Sequence, residues 1–377
     1  MRRVFVVALL LSACEDAPPT AQDPGFVEHT VLGVEKLYLR PGFQIAQWAI
    51  VAGGMRNIIA APNGDVYVGT VIYGQVLRLR DTDSNGTADA TDTVATGLLR
   101  PFGLALRGDT LYIAEEHRVS RLILGTTSLS TVVPSLPNGA GHTTRTIVFG
   151  PDNRLYLSVG SSCNVCLESD TMRAAVLQFN PDGSGGRVFA RGLRNSVGLA
   201  FHPTTGELWA TNNDRDDLGG NDYSITDTLP PERINIARAT RWYGWPQCYL
   251  PNRPNPEFQN ANCALVEPPA ITFQAHSAPL GIAFYTGTMF PPEYQGDAFV
   301  AFHGSWNRTQ PTGAKVVRVQ VQGGRPVAID DFAFGWQRPN GSRWGRPVAV
   351  VSAPDGSLLI SDDGSPRIWR ITYAPAP

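Results

Sequence analysis

The eleven residues Ile147-Val148-Phe149-Gly150-Pro151-Asp152-Asn153-Arg154-Leu155-Tyr156-Leu157 decide the fold. Two apolar runs flank a Gly/Pro/Asp/Asn cluster, and the second has an aromatic residue at its centre. This is the signature of two antiparallel strands joined by a short turn, because the cluster reverses the chain while the flanking side chains seek a core. The same pattern returns at residues 58–68, 103–113, 198–210, 281–300 and 348–360. Its anchors Tyr67, Tyr112, Tyr156, Trp209, Phe299 and Leu359 lie 45, 44, 53, 90 and 60 residues apart, against about 40 to 50 for one propeller blade. The longest gap predicts an insertion at about 213–275. A third strand follows several copies, as in Val76-Leu77-Arg78-Leu79, Val119-Ser120-Arg121-Leu122, Val316-Val317-Arg318-Val319 and Ile368-Trp369-Arg370-Ile371. Six units with no long helical period predict an all-β, six-bladed β-propeller over residues 41–375, in which closing the ring removes exposed strand edges. A paired β-sandwich explains the six-fold recurrence less well.

Composition narrows the function. The chain has 377 residues, 42% of them apolar and 17% charged, with 38 Gly and 30 Pro, so it can bury a large core and is rich in turns. A formal charge of −2 and the absence of a basic run exclude a groove that binds nucleic acid through its phosphates. Lysine occurs only at Lys36 and Lys315, so the positive charge is almost all arginine, which grips planar anions through two parallel hydrogen bonds. Arg2 and Arg3 precede a short apolar run over residues 4–11 and then Leu11-Ser12-Ala13-Cys14. Residues 1–13 therefore read as a bacterial lipoprotein-type signal, Cys14 as the acylated residue and 14–40 as a linker. The expectation is a periplasmic lipoprotein that meets the membrane through its lipid anchor only. The remaining four cysteines suit two disulfides, Cys163 with Cys166 and Cys248 with Cys263. Leu167 after Cys166 breaks the c-type haem attachment pattern.

In a propeller, the loops just before the innermost strands reach one mouth of the central channel. Arg56, Arg100, Arg145, Arg194 and Arg346 occupy such positions in five units, and His276 stands there in the sixth. A ring of guanidinium groups predicts a small planar polyanion as ligand. The alternative is arginines tied to carboxylates of neighbouring blades. His142, three residues before Arg145, is the best-placed general base. Asp81, Asp83, Asn85, Gly86, Asp89 and Asp92 follow the spacing of a calcium loop and predict a structural ion, against the plainer reading of a polar hairpin tip.

Longer strings carry a resemblance over about residues 40–375. They are Gly141-His142 with Phe149-Gly150-Pro151-Asp152, Gly192-Leu193-Arg194-Asn195 with Gly198-Leu199-Ala200-Phe201, and Tyr243-Gly244-Trp245-Pro246. To these are added residues 160–166, Asp214-Arg215-Asp216-Asp217-Leu218-Gly219, His276-Ser277-Ala278-Pro279-Leu280-Gly281 and His303-Gly304-Ser305-Trp306-Asn307-Arg308. The chain resembles the sugar dehydrogenases that use pyrroloquinoline quinone (PQQ), in the sorbosone and aldose-sugar branch related to soluble quinoprotein glucose dehydrogenase. The resemblance implies PQQ with Ca²⁺ across the channel mouth and oxidation of an aldose or sorbosone-type sugar by hydride transfer to the quinone. His142 is then the general base, with Arg194 catalytic and Arg194 and Asn195 beside the cofactor. The cofactor's Ca²⁺ is implied on the main-chain carbonyls of Asp214 and Arg215. Arg56, Arg100, Arg145, His276, Arg308 and Arg346 complete the expected cofactor set, and electrons leave to a separate quinone or cytochrome acceptor. The chain departs from the family pattern at Ser161, where an acid supports the histidine, and at Val348, where a second arginine stands. Lys315 falls too late to match the cofactor lysine, a role left to Arg308 or Arg343. The competing functions are a calcium-dependent lactone hydrolase on a six-bladed propeller and a non-catalytic sugar- or protein-binding propeller.

Overall fold

Residues 25–375 are described by the structure, a computed structural model. The signal over 1–13 and Cys14 lie outside them. Six antiparallel sheets form six blades around one axis. Blade 1 holds Met55–Ala60, Val66–Thr70, Gln75–Arg80 and Ala90–Ala95, and blade 2 holds Gly103–Arg107, Thr110–Ala114, Val119–Ile123 and Leu129–Val133. Blade 3 runs through Ile147–Phe149, Leu155–Val159, Ala175–Phe179 and Arg187–Arg191. Blade 4 comprises Leu199–Phe201, Leu208–Asn212, Glu232–Ala237 and Ile271–Phe273, and blade 5 comprises Pro279–Phe284, Ala298–Phe302, Lys315–Gln322 and Arg325–Phe334. Blade 6 is built from Pro347–Ser352, Leu358–Asp362 and Arg367–Tyr373, and its outer strand is Phe43–Ile50 from the other end of the chain. That pairing, with Ile45 opposite Ile371, clasps the ring shut. The first strands of the six blades touch in cyclic order.

The second strand of a blade lies between two neighbouring blades and is buried on both faces. Val66–Thr70, Leu155–Val159, Leu208–Asn212, Ala298–Phe302 and Leu358–Asp362 are buried at every residue, which is why they read as continuous apolar runs rather than alternating ones. Four anchors meet an arginine on the third strand. Tyr67 registers with Arg78, Tyr112 with Arg121, Phe299 with Arg318 and Leu359 with Arg370. Towards the axis the blades crowd, and glycine admits them. A Cβ on Gly103 would stand 2.2 Å from the Arg145 carbonyl oxygen, and one on Gly198 2.2 Å from that of Leu280.

Two boundaries shift from those expected. Residues 27–39, assigned to the linker, form the strands Val27–Val31 and Glu35–Leu39, which extend blade 5 by pairing Tyr38 with Phe334. Apolar Leu37 and Leu39 are fully buried there, so this hairpin has a core to join. The 213–275 insertion is two insertions, because the third and fourth strands of blade 4 lie inside it. The first carries the short helix Tyr223–Thr226, capped by the Asp222 side chain on the Ser224 amide. The second is closed by the buried Cys248–Cys263 disulfide.

The channel is divided. Phe102, Val197, Leu280 and Val348, at or just before four innermost strands, pack into a buried apolar plug. Beyond it lies a cavity of about 670 Å³ lined by Ile59, Leu106, Phe149, Phe201, Phe284 and Val351 among others, with no titratable residue in its wall. On the near side, where the innermost strands begin, the loops carry Arg145, Arg194 and Arg346. The plug also explains the departure at Val348, which is 1% exposed in apolar surroundings where an unpaired guanidinium would be costly.

Candidate active site

The five arginines do not form an even ring. Arg145 is fully buried, and its guanidinium donates to the carbonyls of His142 (3.0 Å), Thr144 (2.8 Å) and Pro137. Burial first, and then nearby Arg173, hold it down to about 10. Arg173 donates to the Ala140 and Asn138 carbonyls, so the two together staple the loop that carries His142. Arg100 is half-exposed, 3.5 Å from Glu116. Arg308 donates to the carbonyls of Asp227, Ala275 and Gln310. These three sit in scaffold or at the edge, because backbone carbonyls and acids from adjacent loops claim their donors first. The rest gather into two corners of the mouth.

The first corner is built by blades 3 and 4. His142 Nδ1 lies 3.0 Å from Ser161 Oγ and 3.1 Å from the Ser161 carbonyl oxygen, while Ser161 Oγ donates its own proton to the Cys163 carbonyl at 2.7 Å. Both oxygens can therefore only accept from the ring, Nδ1 carries the hydrogen, and Nε2 keeps a bare lone pair. Burial, and after it the positive charge of Arg194, Arg145 and Arg173, lowers the imidazole to about 4. The base is neutral across the physiological range. Gly160 makes room for it, since a Cβ there would lie 2.5 Å from His142 Cβ and 2.9 Å from Asn195 Oδ1.

Arg194 is 4% exposed and fully engaged. It donates to the Asn164 carbonyl (3.1 Å) and Oδ1 (3.0 Å), to the Asp214 carbonyl (2.6 Å) and to Asp216 Oδ2 (3.1 Å). Asp216 also faces Asn307 and His276, whose Nε2 contacts the Thr226 carbonyl at 2.8 Å. Behind them the buried Asp214 pairs with Arg233, and the Asp214 amide donates to Glu232 at 2.7 Å. Burial raises Asp216, and burial with the neighbouring Asp214 and Asp216 pushes Glu232 well up. Three acids, Asp214, Asp216 and Glu232, thus share the two guanidinium groups of Arg194 and Arg233.

The second corner joins blades 5, 6 and 1. His303 Nε2 lies 2.8 Å from Asp363 Oδ1, and Arg56 pairs with the other oxygen of that carboxylate. Burial raises Asp363, but His303 and Arg56 outweigh it and hold it low. Arg346 donates to the His303 carbonyl at 3.1 Å, and Arg343 contacts Ser305 Oγ at 3.4 Å. Burial lowers both arginines; Arg343 is lowered further by Arg346, and Arg346 further by Arg56. Three partly buried guanidinium groups around one carboxylate leave a surplus of positive charge.

Sequence reading missed Asp363, Asn164, Asp216 as a ligand of Arg194, Glu232 and Arg173. Only Asn164 and Asp216, each inside a stretch that carries the resemblance, had a signal. The acidic stretch 81–92 forms a hairpin tip whose carboxylates turn onto neighbouring amides, a hydroxyl and arginines. Asp81 accepts from the Asn85 and Gly86 amides, Asp83 from Asn85, and Asp89 from Thr82, while Asp92 is drawn away to Arg78 and Arg80. Among the described residues, the only place where three His, Cys, Asp or Glu ligand atoms come within 4.8 Å is Cys163, Cys166 and Glu168, and both sulfurs there are bonded to each other. Lys315 pairs with Asp331 on the neighbouring strand.

Comparison with known proteins follows the same lines. A family model described as TrAA12-like matches residues 37–374. An uncharacterised protein of Borreliella burgdorferi is 32% identical over 74% of this chain and 78% of its own length. A pyrroloquinoline quinone-dependent sugar dehydrogenase of Hypocrea jecorina is 26% identical over 69% of this chain and 72% of its own. Among solved structures, the holo form of the PQQ domain of Coprinopsis cinerea pyranose dehydrogenase superposes with a TM-score of 0.76 at 24% identity, covering 90% of this chain and 97% of that one. A calcium structure from Trichoderma reesei, of carbohydrate-active enzyme family AA12, gives 0.77 at 23% identity over 89% and 96%. These likenesses between structures concern the fold.

Proposed function

Because the chain belongs to the TrAA12-like family, we propose that it is a quinoprotein oxidoreductase that oxidises a sugar with PQQ as cofactor and Ca²⁺ beside it. The observation that carries the reading is the neutral His142, whose Nδ1 faces two oxygens that can only accept and whose Nε2 is left bare. The donor set suits the groups. PQQ is a planar tricarboxylate, and Arg56, Arg343 and Arg346 form a partly buried cationic cluster around one carboxylate, which an anionic guest would neutralise. The pocket of Asp214, Asp216 and Glu232 is acidic, with Glu232 pushed well up by burial and its acidic neighbours, and the Asp214 carbonyl, which accepts from Arg194, together with the Arg215 carbonyl would hold the calcium, a hard cation that takes oxygen ligands. When bound, PQQ supplies a two-electron acceptor for hydride.

The chain's own residues do the rest. His142 Nε2 accepts the proton of the sugar hydroxyl being oxidised, and its depressed basicity keeps it ready at neutral pH. Arg194, locked by Asn164 and Asp216, sets a fixed positive charge beside that base and so favours negative charge developing on the sugar oxygen. The plug of Phe102, Val197, Leu280 and Val348 seals the channel below and keeps water from entering through the other end. Aldose or sorbosone-type substrates, a separate quinone or cytochrome acceptor, and export with lipidation at Cys14 belong to the same proposal. Two formed disulfides support an oxidising compartment.

The test is reconstitution of the purified protein with PQQ and Ca²⁺ and a panel of aldoses, with bleaching of an artificial electron acceptor as the readout. Sugar-dependent bleaching that requires PQQ is expected. Lactone consumption without PQQ, or sugar binding with no turnover, would replace this reading.

A further inference from the structure

The Cys163–Cys166 disulfide closes a loop that begins two residues after the base's partner Ser161 and follows the strand Leu155–Val159. Two separate tasks meet on it. The Cys163 carbonyl takes the Ser161 hydroxyl proton at 2.7 Å, and that bond makes Ser161 Oγ an acceptor for His142. Asn164, the next residue, joins the other half of the corner. Its carbonyl accepts from Arg194 and from the Trp245 indole at 3.0 Å, its Oδ1 accepts from Arg194 at 3.0 Å and from the Asp216 amide at 2.8 Å, and its Nδ2 donates to the Asp216 carbonyl at 3.1 Å. Asn164 is exposed, Val165 inside the bridge is only partly buried, and Leu167 just beyond it is 70% exposed, so core packing does little to order this loop. The cross-link and the polar bonds order it.

We propose that the disulfide-clasped loop is the positioning element of the base, with Cys163–Cys166 fixing the His142 tautomer through Ser161 and Asn164 aiming Arg194, so that this disulfide serves turnover more than folding. The inference rests on the reading of His142 as the base. A closed short loop has few states to lose when its carbonyls are brought to bear on a side chain, whereas the open loop must be ordered at each encounter. The two bridges also differ in access. Cys248 and Cys263 are 0% and 4% exposed, while Cys163 and Cys166 are only partly buried. A soluble thiol or phosphine therefore meets the loop bridge first.

The experiment opens that bridge in the folded protein, alkylates it, and maps the label to Cys163 and Cys166. Nitrogen-15 spectra of the imidazoles in cofactor-free protein then report the tautomer, and steady-state kinetics of the PQQ-loaded protein report turnover. Expected are a His142 that changes from one tautomer to a mixture, and a kcat lowered about 10- to 100-fold, the lower part of what a positioned base contributes, with KM for sugar changed less than threefold. Asn164→Ala, which leaves the bridge intact, is expected to lower kcat by about tenfold without altering the His142 tautomer. An unchanged tautomer together with kcat within twofold after alkylation overturns the proposal. So does global unfolding on opening the bridge, since the bridge is then a fold staple. Failure of the functional reading shows differently, as untreated protein that turns over no sugar while the tautomer still responds to the bridge.

Discussion

Two imidazoles stand at one channel mouth, both pushed down to about 4, yet their surroundings are opposite. His142 leans on the neutral hydroxyl and carbonyl of Ser161 and is surrounded by arginines. His303 leans on the ionised Asp363, which it shares with Arg56. Burial is the largest influence on each, and at His303 it outweighs the carboxylate that favours the charged ring. The difference lies in what each ring can offer. With its hydrogen fixed on Nδ1, His142 presents Nε2 as a base. His303 gives its Nε2 hydrogen to a carboxylate and braces a cationic cluster. The same residue type, at the same basicity, is made a proton acceptor in one corner and a strut in the other.

Substitution should separate the corners most sharply. His142→Ala is expected to cut kcat by about 10²- to 10⁴-fold, the range for a general base, while PQQ affinity, followed by fluorescence titration, stays within a few-fold. Arg346→Ala in the other corner should do the reverse, weakening PQQ about 10- to 100-fold through the loss of charge-assisted hydrogen bonds. Equal effects of the two on affinity would erase the distinction.

The next effect is on pH. Both rings titrate near 4 when folded and near 6.5 when unfolded, so between those values the unfolded chain binds protons that the folded chain refuses. Stability is then full above about 6.5, declines as pH falls, and reaches its loss by about 4. Urea denaturation midpoints across that window measure it. The acid limb of kcat/KM should likewise lie near 4. Ser161→Asp sharpens the comparison by giving His142 the kind of partner His303 has, and should move that limb upward, since an anion favours the imidazolium. Ser161→Ala should lower kcat by about tenfold, because it removes the hydroxyl that the Cys163 carbonyl orients toward Nδ1 and leaves only the Ser161 carbonyl as acceptor. Smallest of all, Asp83→Ala at the hairpin tip should shift stability by about 1 kcal/mol or less, equally with calcium or chelator, as thermal melts will show.

The ring of blades was legible because its signal is local. A hairpin's turn residues and a buried strand's apolar run sit side by side in sequence, as in residues 147–157, and six repetitions leave few folds to consider. The cysteine pairs and the nearness of Ser161 to His142 were legible for similar reasons, the second through resemblance. The even ring of arginines was not. Arg145 and Arg346 occupy matching places before their strands, but one spends its donors on the Pro137–Thr144 loop and the other reaches the His303 carbonyl. Nothing within either segment distinguishes them.

Sequence by itself thus determined the number of blades and the pairing of the cysteines, since each follows from spacing along the chain and from side-chain period. Only the tertiary structure decided which nitrogen of His142 is bare, which arginines are already engaged, and that Asp363 joins His303 to Arg56. Those outcomes depend on groups brought together from blades as far apart in sequence as residues 56 and 363, where a hydrogen bond forms or fails within a few tenths of an ångström that no local pattern encodes.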